Sequence, residues 1–120
     1  MGEYSCIFYE TVDGKSPVEE FIESLDDQAQ DNFILKKQLL QDLGQQLRYP
    51  HTDHIEEGVF ELRFKGTEGQ IRVLFFFFYG KRIIFSHGFV KKTQKTPRKE
   101  IEIAKRRRQD FLARHKGRDE

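Results

Sequence analysis

Apolar and polar positions alternate most regularly between Val59 and Lys95, a stretch reading VFELRFKGTEGQIRVLFFFFYGKRIIFSHGFVKKTQK. Three apolar runs are separated by two glycine-marked turns, which predicts a three-stranded antiparallel meander. A four-residue loop from Gly66 to Gly69 sets Lys65 opposite Gln70 and Arg63 opposite Arg72. A two-residue turn at Gly80-Lys81 sets Tyr79 opposite Arg82 and Leu74 opposite His87. Side chains on a strand point alternately to its two faces. One face then carries Phe60, Leu62, Phe64, Ile71, Val73, Phe75, Phe77, Ile84 and Val90, and it must be covered. The other carries Glu61, Arg63, Lys65, Gln70, Arg72, His87, Phe89 and Lys91 at one end, with Phe76, Phe78, Ile83 and Phe85 at the other.

The flanking segments supply the cover. Tyr4 to Tyr9 reads as a short strand, and Asp13-Gly14-Lys15 as a turn. Ser16-Pro17-Val18-Glu19 opens a helix, with Ser16 capping, Pro17 in the first turn and Glu19 closing a capping box. Val18, Phe21, Ile22 and Leu25 form its buried stripe. A second helix runs from about Gln28 to Leu43. Its stripe is Ala29, Phe33, Leu40, Leu43 and Leu47, widened by Leu35 and Leu39, and Gly44 stops it. Tyr49 to His54 reads as a loop. Thr96 and Pro97 start a C-terminal helix that buries Ile101, Ala104, Phe111 and Leu112, and the tail is expected to fray from Lys116. The order is β-α-α-β-β-β-α. It predicts one α+β domain over residues 1–120 with two layers. A four-stranded, mostly antiparallel sheet is covered by an N-terminal helical hairpin and the C-terminal helix.

Length changes this little, since 120 residues suit one domain. Charge changes it more. Net charge is +1, yet residues 1–61 hold four Lys/Arg and fourteen Asp/Glu, or −10, while residues 62–120 hold seventeen and six, or +11. A basic second half points to a polyanionic partner, RNA or DNA first; the alternative is that both charge sets keep the surface soluble. Within that half, Lys105 to Arg108 is a basic run on and around the outer face of the last helix. No apolar run approaches the roughly 20 residues of a membrane span, and the first residues show no secretory signal. Cys6, the single cysteine, reads as a small core residue, and a reducing cytoplasm fits.

Two arginines facing each other across a ladder repel and weaken the sheet. An anion over them relieves this, and phosphate is the obvious one; otherwise Glu61 and solvent screen the pair. Arg72, on the polar face, is expected to be removable with little loss of stability. His87 shares that face and titrates near neutrality, although a strand histidine bonded to backbone is an equal reading. Phe89 is the only aromatic side chain expected to be exposed nearby. His51, Asp53 and His54 have no third partner that would make a metal site.

The pattern Leu43-Gly44, Leu47, Pro50, then Gly58-Val59-Phe60-Glu61-Leu62-Arg63, Ile71-Arg72-Val73-Leu74, and His87-Gly88-Phe89-Val90-Lys91-Lys92-Thr93-Gln94-Lys95-Thr96-Pro97 with Glu100-Ile101 resembles the RelE/ParE toxin superfamily. Within it the chain is most similar to the HigB-like, phage-derived Gp49-like group. The resemblance covers nearly the whole chain, and the E-L-R and F-x-K-K-x-x-x-T-P elements together carry it. It implies the toxin of a bacterial type II toxin-antitoxin pair, cleaving mRNA in the ribosomal A site. The implied partner is a helix-turn-helix antitoxin.

Such cleavage needs a base for the ribose 2′-OH, an acid for the leaving 5′-oxygen and cations for the phosphate, with no metal or cofactor. By the resemblance Arg72 stabilises the transition-state phosphate, and Arg63 holds a flanking phosphate or the sheet. Lys91, Lys92 and Lys95 match a lysine-rich element that holds RNA, with Lys65 and Arg98 added as further contacts. Several RelE-type enzymes use a C-terminal tyrosine, whereas the last tyrosine here is Tyr79. His87 and then Glu61 are therefore the candidates for acid and base. Two other readings stay open, a ParE-like inhibitor of DNA gyrase and a non-catalytic RNA-binding module.

Overall fold

A computed structural model describes residues 3–115 of the chain; the expected fraying from Lys116 lies outside them. The elements are β1 (Ser5–Phe8), α1 (Pro17–Glu23), α2 (Asp27–Leu43), a 3-10 turn (Gly44–Gln46), β2 (Thr52–Glu56), β3 (Val59–Gly66), β4 (Gly69–Phe78), β5 (Arg82–Lys91) and α3 (Arg98–Arg114). The sheet has five strands, not four, in the order β1-β5-β4-β3-β2. β1 runs parallel to β5, and the remaining pairs are antiparallel. The extra strand is β2, in the segment expected to be loop. Its sequence, Thr-Asp-His-Ile-Glu, has no apolar alternation because it is an edge strand, where charge is tolerated and blunts pairing with other chains.

The β3–β4 register matches the expectation, with Arg63 opposite Arg72 and Lys65 opposite Gln70. The β4–β5 register matches only in part. Leu74 does face His87, but Phe78 rather than Tyr79 faces Arg82. The turn therefore holds Tyr79, Gly80 and Lys81, and a bulge at Ser86 absorbs the extra residue. This shift exchanges the faces of Ile83, Ile84 and Phe85: Ile83 and Phe85 join the larger core, and Ile84 points the other way. The bulge is held at both of its polar groups. Ser86 Oγ donates to the Leu74 carbonyl at 3.1 Å, and the Ser86 carbonyl accepts from Arg107 Nη1 at 2.9 Å.

The sheet is covered on both faces, which replaces the two-layer expectation. On one face Val18 and Ile22 of α1 and Ala29, Phe33 and Leu40 of α2 pack against Leu62, Phe64, Val73, Phe75 and Phe85. On the other, Phe111 and Ala104 of α3 meet Phe76 and Ile84, and Leu74 and Phe89. That second apolar patch is too large to leave in water, since burying each such side chain is worth about 1.5–3 kcal/mol.

Local chemistry sets the helix ends. Asp26 caps α2, its Oδ1 accepting from the Ala29 N–H at 2.9 Å. Its Oδ2 accepts from the Thr67 N–H at 3.1 Å, which ties the helix to the β3–β4 turn. α2 stops at Gly44, with φ 54°, and a Cβ there would lie 2.0 Å from the Tyr4 ring. The expected capping box at Ser16 does not form, because the Ser16 side chain makes no capping bond. Leu35 and Leu43, expected in the buried stripe of α2, are exposed.

Candidate nucleic-acid interface

Strand alternation brings Glu61, Arg63, Lys65, Gln70, Arg72 and Lys91 to the α3 face of the sheet, at the end that α3 does not reach. Glu61 is the floor. It is only 1% exposed, and a buried carboxylate needs partners. Its Oε2 accepts from Arg63 Nη1 at 2.9 Å and lies 3.6 Å from Arg72 Nε. Its Oε1 accepts from the Thr96 hydroxyl at 2.9 Å, which pins the loop before α3. One buried negative charge therefore sits beneath two opposed guanidiniums.

Arg72 is 3% exposed. Its Nη1 donates to the Ile71 carbonyl at 2.9 Å and Gln70 Oε1 at 3.4 Å, but its buried Nε has no hydrogen-bond partner among the described residues. Burial and then the Arg63 charge depress its pKa, opposed by Glu61 and the Tyr49 phenol. It stays charged regardless, as arginine does in proteins. This burial corrects the expectation that Arg72 can be removed cheaply. Truncation opens a cavity and takes a cation from a buried carboxylate.

Above these groups lies a cavity of about 500 Å³ lined by Arg63, Gln70, Arg72, Lys91, Lys92, Thr93 and Gln94. Burial holds the Lys91 ammonium below its ordinary pKa, with Arg72 and Arg63 adding to the effect and Glu61 opposing it. A second cavity, about 430 Å³, shares Arg63 and Gln70 and continues round the edge of β3 past Lys65 to Asn32 and Lys36 of α2. Lys36 donates to His51 Nδ1 at 2.7 Å, and burial depresses its pKa. Together the two cavities form one basic trough. Lys36 had no signal in the sequence, and Thr93 and Gln94 fell inside the quoted pattern without being singled out as site residues. Lys36 lies on a helix distant in the chain, and the other two sit in a polar loop.

Other expected site residues lie elsewhere. His87 does not line the cavity. Its Nε2 is 2.6 Å from Glu100 Oε1 and its Nδ1 3.4 Å from Arg107 Nη1. Since arginine can only donate, Nδ1 is the acceptor and Nε2 carries the proton. Burial lowers the His87 pKa, with Arg107 adding to this and the Glu100 hydrogen bond opposing it. Arg98 is drawn off to Glu56 at 2.9 Å and Glu102 at 3.0 Å. Lys95 is exposed outside the cavity lining. Phe89, expected as an exposed aromatic, is 7% exposed beneath α3. The basic run of α3 is not simply outward either: Lys105 pairs with Glu56 at 2.9 Å, Arg107 holds the bulge and the Arg108 guanidinium lies over the Phe76 ring.

Among the described residues, no group of three or more His, Cys, Asp or Glu side chains gathers where it could hold a metal ion. No described helix is long and apolar enough to cross a membrane. The arrangement can grip an anion with two guanidiniums and an ammonium.

The family model described as phage-derived protein Gp49-like (DUF891) matches residues 20–109. The chain belongs to this family, the HigB/RelE-like toxins. The match runs from α1 through most of α3 and so contains the whole basic trough. No curated protein matches the chain. Family membership makes it a toxin-like protein of toxin-antitoxin systems.

Proposed function

We propose that this protein is a toxin that cleaves mRNA on the ribosome without a metal, held in check by a cognate helix-turn-helix antitoxin. The observation that carries the reading is the opposed Arg63–Arg72 pair beside Lys91, around one cavity, with Arg72 Nε 3.6 Å from Glu61 Oε2 and without a hydrogen bond. The Glu61 carboxylate offsets only one of the three cations Arg63, Arg72 and Lys91, and a phosphodiester is the further anion the family reading calls for.

In the reaction the ribose 2′-oxygen attacks the adjacent phosphorus. The O2′–P bond forms as the P–O5′ bond breaks, leaving a 2′,3′-cyclic phosphate and a 5′-hydroxyl. Arg63 and Arg72 hold the charge that grows on the non-bridging oxygens. Lys91, which lines the cavity beside both arginines, takes the 2′-OH proton when in its neutral form, a role the buried and paired His87 is poorly placed to fill. The leaving oxygen takes its proton from water. In-line geometry comes from the ribosome, which holds the codon, and such positioning is worth about 7–11 kcal/mol at most.

The test is primer extension on mRNA from cells that briefly express the protein. New 5′ ends inside translated frames are expected, and none in untranslated transcripts. Growth arrest with intact mRNA and broken or relaxed DNA would overturn the reading and favour gyrase as target.

A further inference from the structure

The trough holds backbone phosphate, but RNA also presents bases, and the expected aromatic contact, Phe89, is buried. Another aromatic stands ready. Tyr49, in the loop before β2, is 68% exposed, which is unusual for so large a ring. It is not loose: the Arg63 guanidinium lies over the ring, 5.0 Å from its centroid. The loop behind it is tied by the Thr52 hydroxyl, which donates to the Leu47 carbonyl at 2.9 Å, and by the His51 N–H, which donates to the Arg48 carbonyl at 3.0 Å. Even with Arg63 over one face, most of the side chain is exposed.

Tyr49 also lines a cavity of about 710 Å³ at the β2 edge, whose apolar part includes Phe60 and Phe77. His54 stands beside Phe60, with ring centroids 5.0 Å apart. At the rim is an acceptor, and a guanidinium is part of the lining. Asp53 Oδ2 lies 3.9 Å from Arg63 Nη1, and Arg108 has a buried Nε without a hydrogen-bond partner among the described residues. Aromatic walls with a few polar groups at the margin suit a nucleobase, which has two π-faces and a hydrogen-bonding edge. A carboxylate at the rim suits a base with an exocyclic amino group and disfavours a second phosphate. Arg63 joins the two sites: it lines the phosphate cavity and touches two residues of this one.

We propose that the cavity beside Tyr49 is a nucleobase pocket, in which Tyr49 stacks the base of a nucleotide whose phosphate lies over Arg63 and Arg72. The proposal rests on the RNA-cleaving reading above. It makes Tyr49 a positioning residue that chooses which nucleotide flanks the held phosphate. A peptide side chain would fill the apolar part of the cavity but would not place a phosphate over Arg63 at the same time.

The experiment measures binding of an uncleavable trinucleotide, 2′-O-methylated at its first and central riboses, and of the same trinucleotide with one base removed at each position in turn. In the wild type, removing one particular base should weaken binding about tenfold, within the range expected for one stacked base. Tyr49→Ala should weaken the intact trinucleotide by the same factor and leave the matching abasic one unchanged, while Tyr49→Phe restores the difference. Because Tyr49 is exposed, Tyr49→Ala should fold, and a melting curve checks this. Binding that is tight but indifferent to every base removal and to Tyr49→Ala would overturn the pocket and spare the phosphate site. Failure of the wild type to bind any trinucleotide would overturn both.

Discussion

Arg63 and Arg72 face each other across the β3–β4 ladder, and their juxtaposition was readable because glycines fix that turn on both sides. What the sequence could not give was the depth of each group. Glu61 and Arg72 lie buried, while Lys91 is half-buried in the field of both arginines. Burial first, and then both arginines, lower its pKa, and in the proposed cleavage Lys91 takes the 2′-OH proton, a role a fixed cation cannot fill. Lys91→Arg keeps the charge and removes the titration, so cleavage on the ribosome should fall by about 10²-fold or more with the melting temperature unchanged; wild-type rates in the variant would reject Lys91 as the proton acceptor. His87 makes a different prediction, about stability. Its pKa is lowered in the folded protein by burial, despite Glu100, with Arg107 beside it. The unfolded chain, with an ordinary value of about 6.5, then binds the proton more readily in the window below that value. The fold should therefore lose stability as pH falls from 7.5 to 5.5, and His87→Gln should flatten the slope. Melting curves of both proteins across this range test it, and an unchanged slope in the variant would count against the burial argument.

Elements were legible where periodicity and turn residues agreed. The β3–β4 hairpin, the short first strand and the two longer helices all followed from pattern. Three features did not. The bulge at Ser86 has no signature of its own, since one added residue in the turn and one in the strand cancel by His87. β2 carries polar residues because it is an edge. The position of α3 was open to argument: the patch of Phe76, Phe78 and neighbouring apolar residues on the second face needed a cover, and α3 supplies it. One element-level contact carries more weight than its residue type suggests. Asp26 caps α2 and also accepts from the Thr67 N–H and hydroxyl, at 3.1 and 3.2 Å, so it joins the helix to the hairpin that sets the arginine register. Asp26→Ala should lower the midpoint of urea unfolding, since it loses the cap and the tie to the hairpin together. An unchanged midpoint would show that neither contributes.

At the scale of the molecule, the acidic first half and basic second half do not stand apart. Glu3 reaches Lys81 at 2.7 Å, Glu56 holds Arg98 and Lys105, and Glu61 underlies Arg63. Three first-half carboxylates thus offset part of the +11, and the basic surface that lines a cavity is concentrated around Arg63, Arg72, Lys91 and Lys92. The charge split therefore gave no sign of where on the surface the cations gather. The chemistry of that place is cationic, which suits gripping a phosphate and leaves orientation of the 2′-OH to whatever holds the RNA. The most direct measurement incubates EDTA-treated, dialysed protein with free mRNA and with the same mRNA on programmed ribosomes, then maps the new ends. Cutting within the A-site codon on ribosomes only, lost in Lys91→Arg, is the expected result. Efficient cutting of free mRNA, or ribosomal cutting that is absent until metal is returned to the protein, would contradict the account.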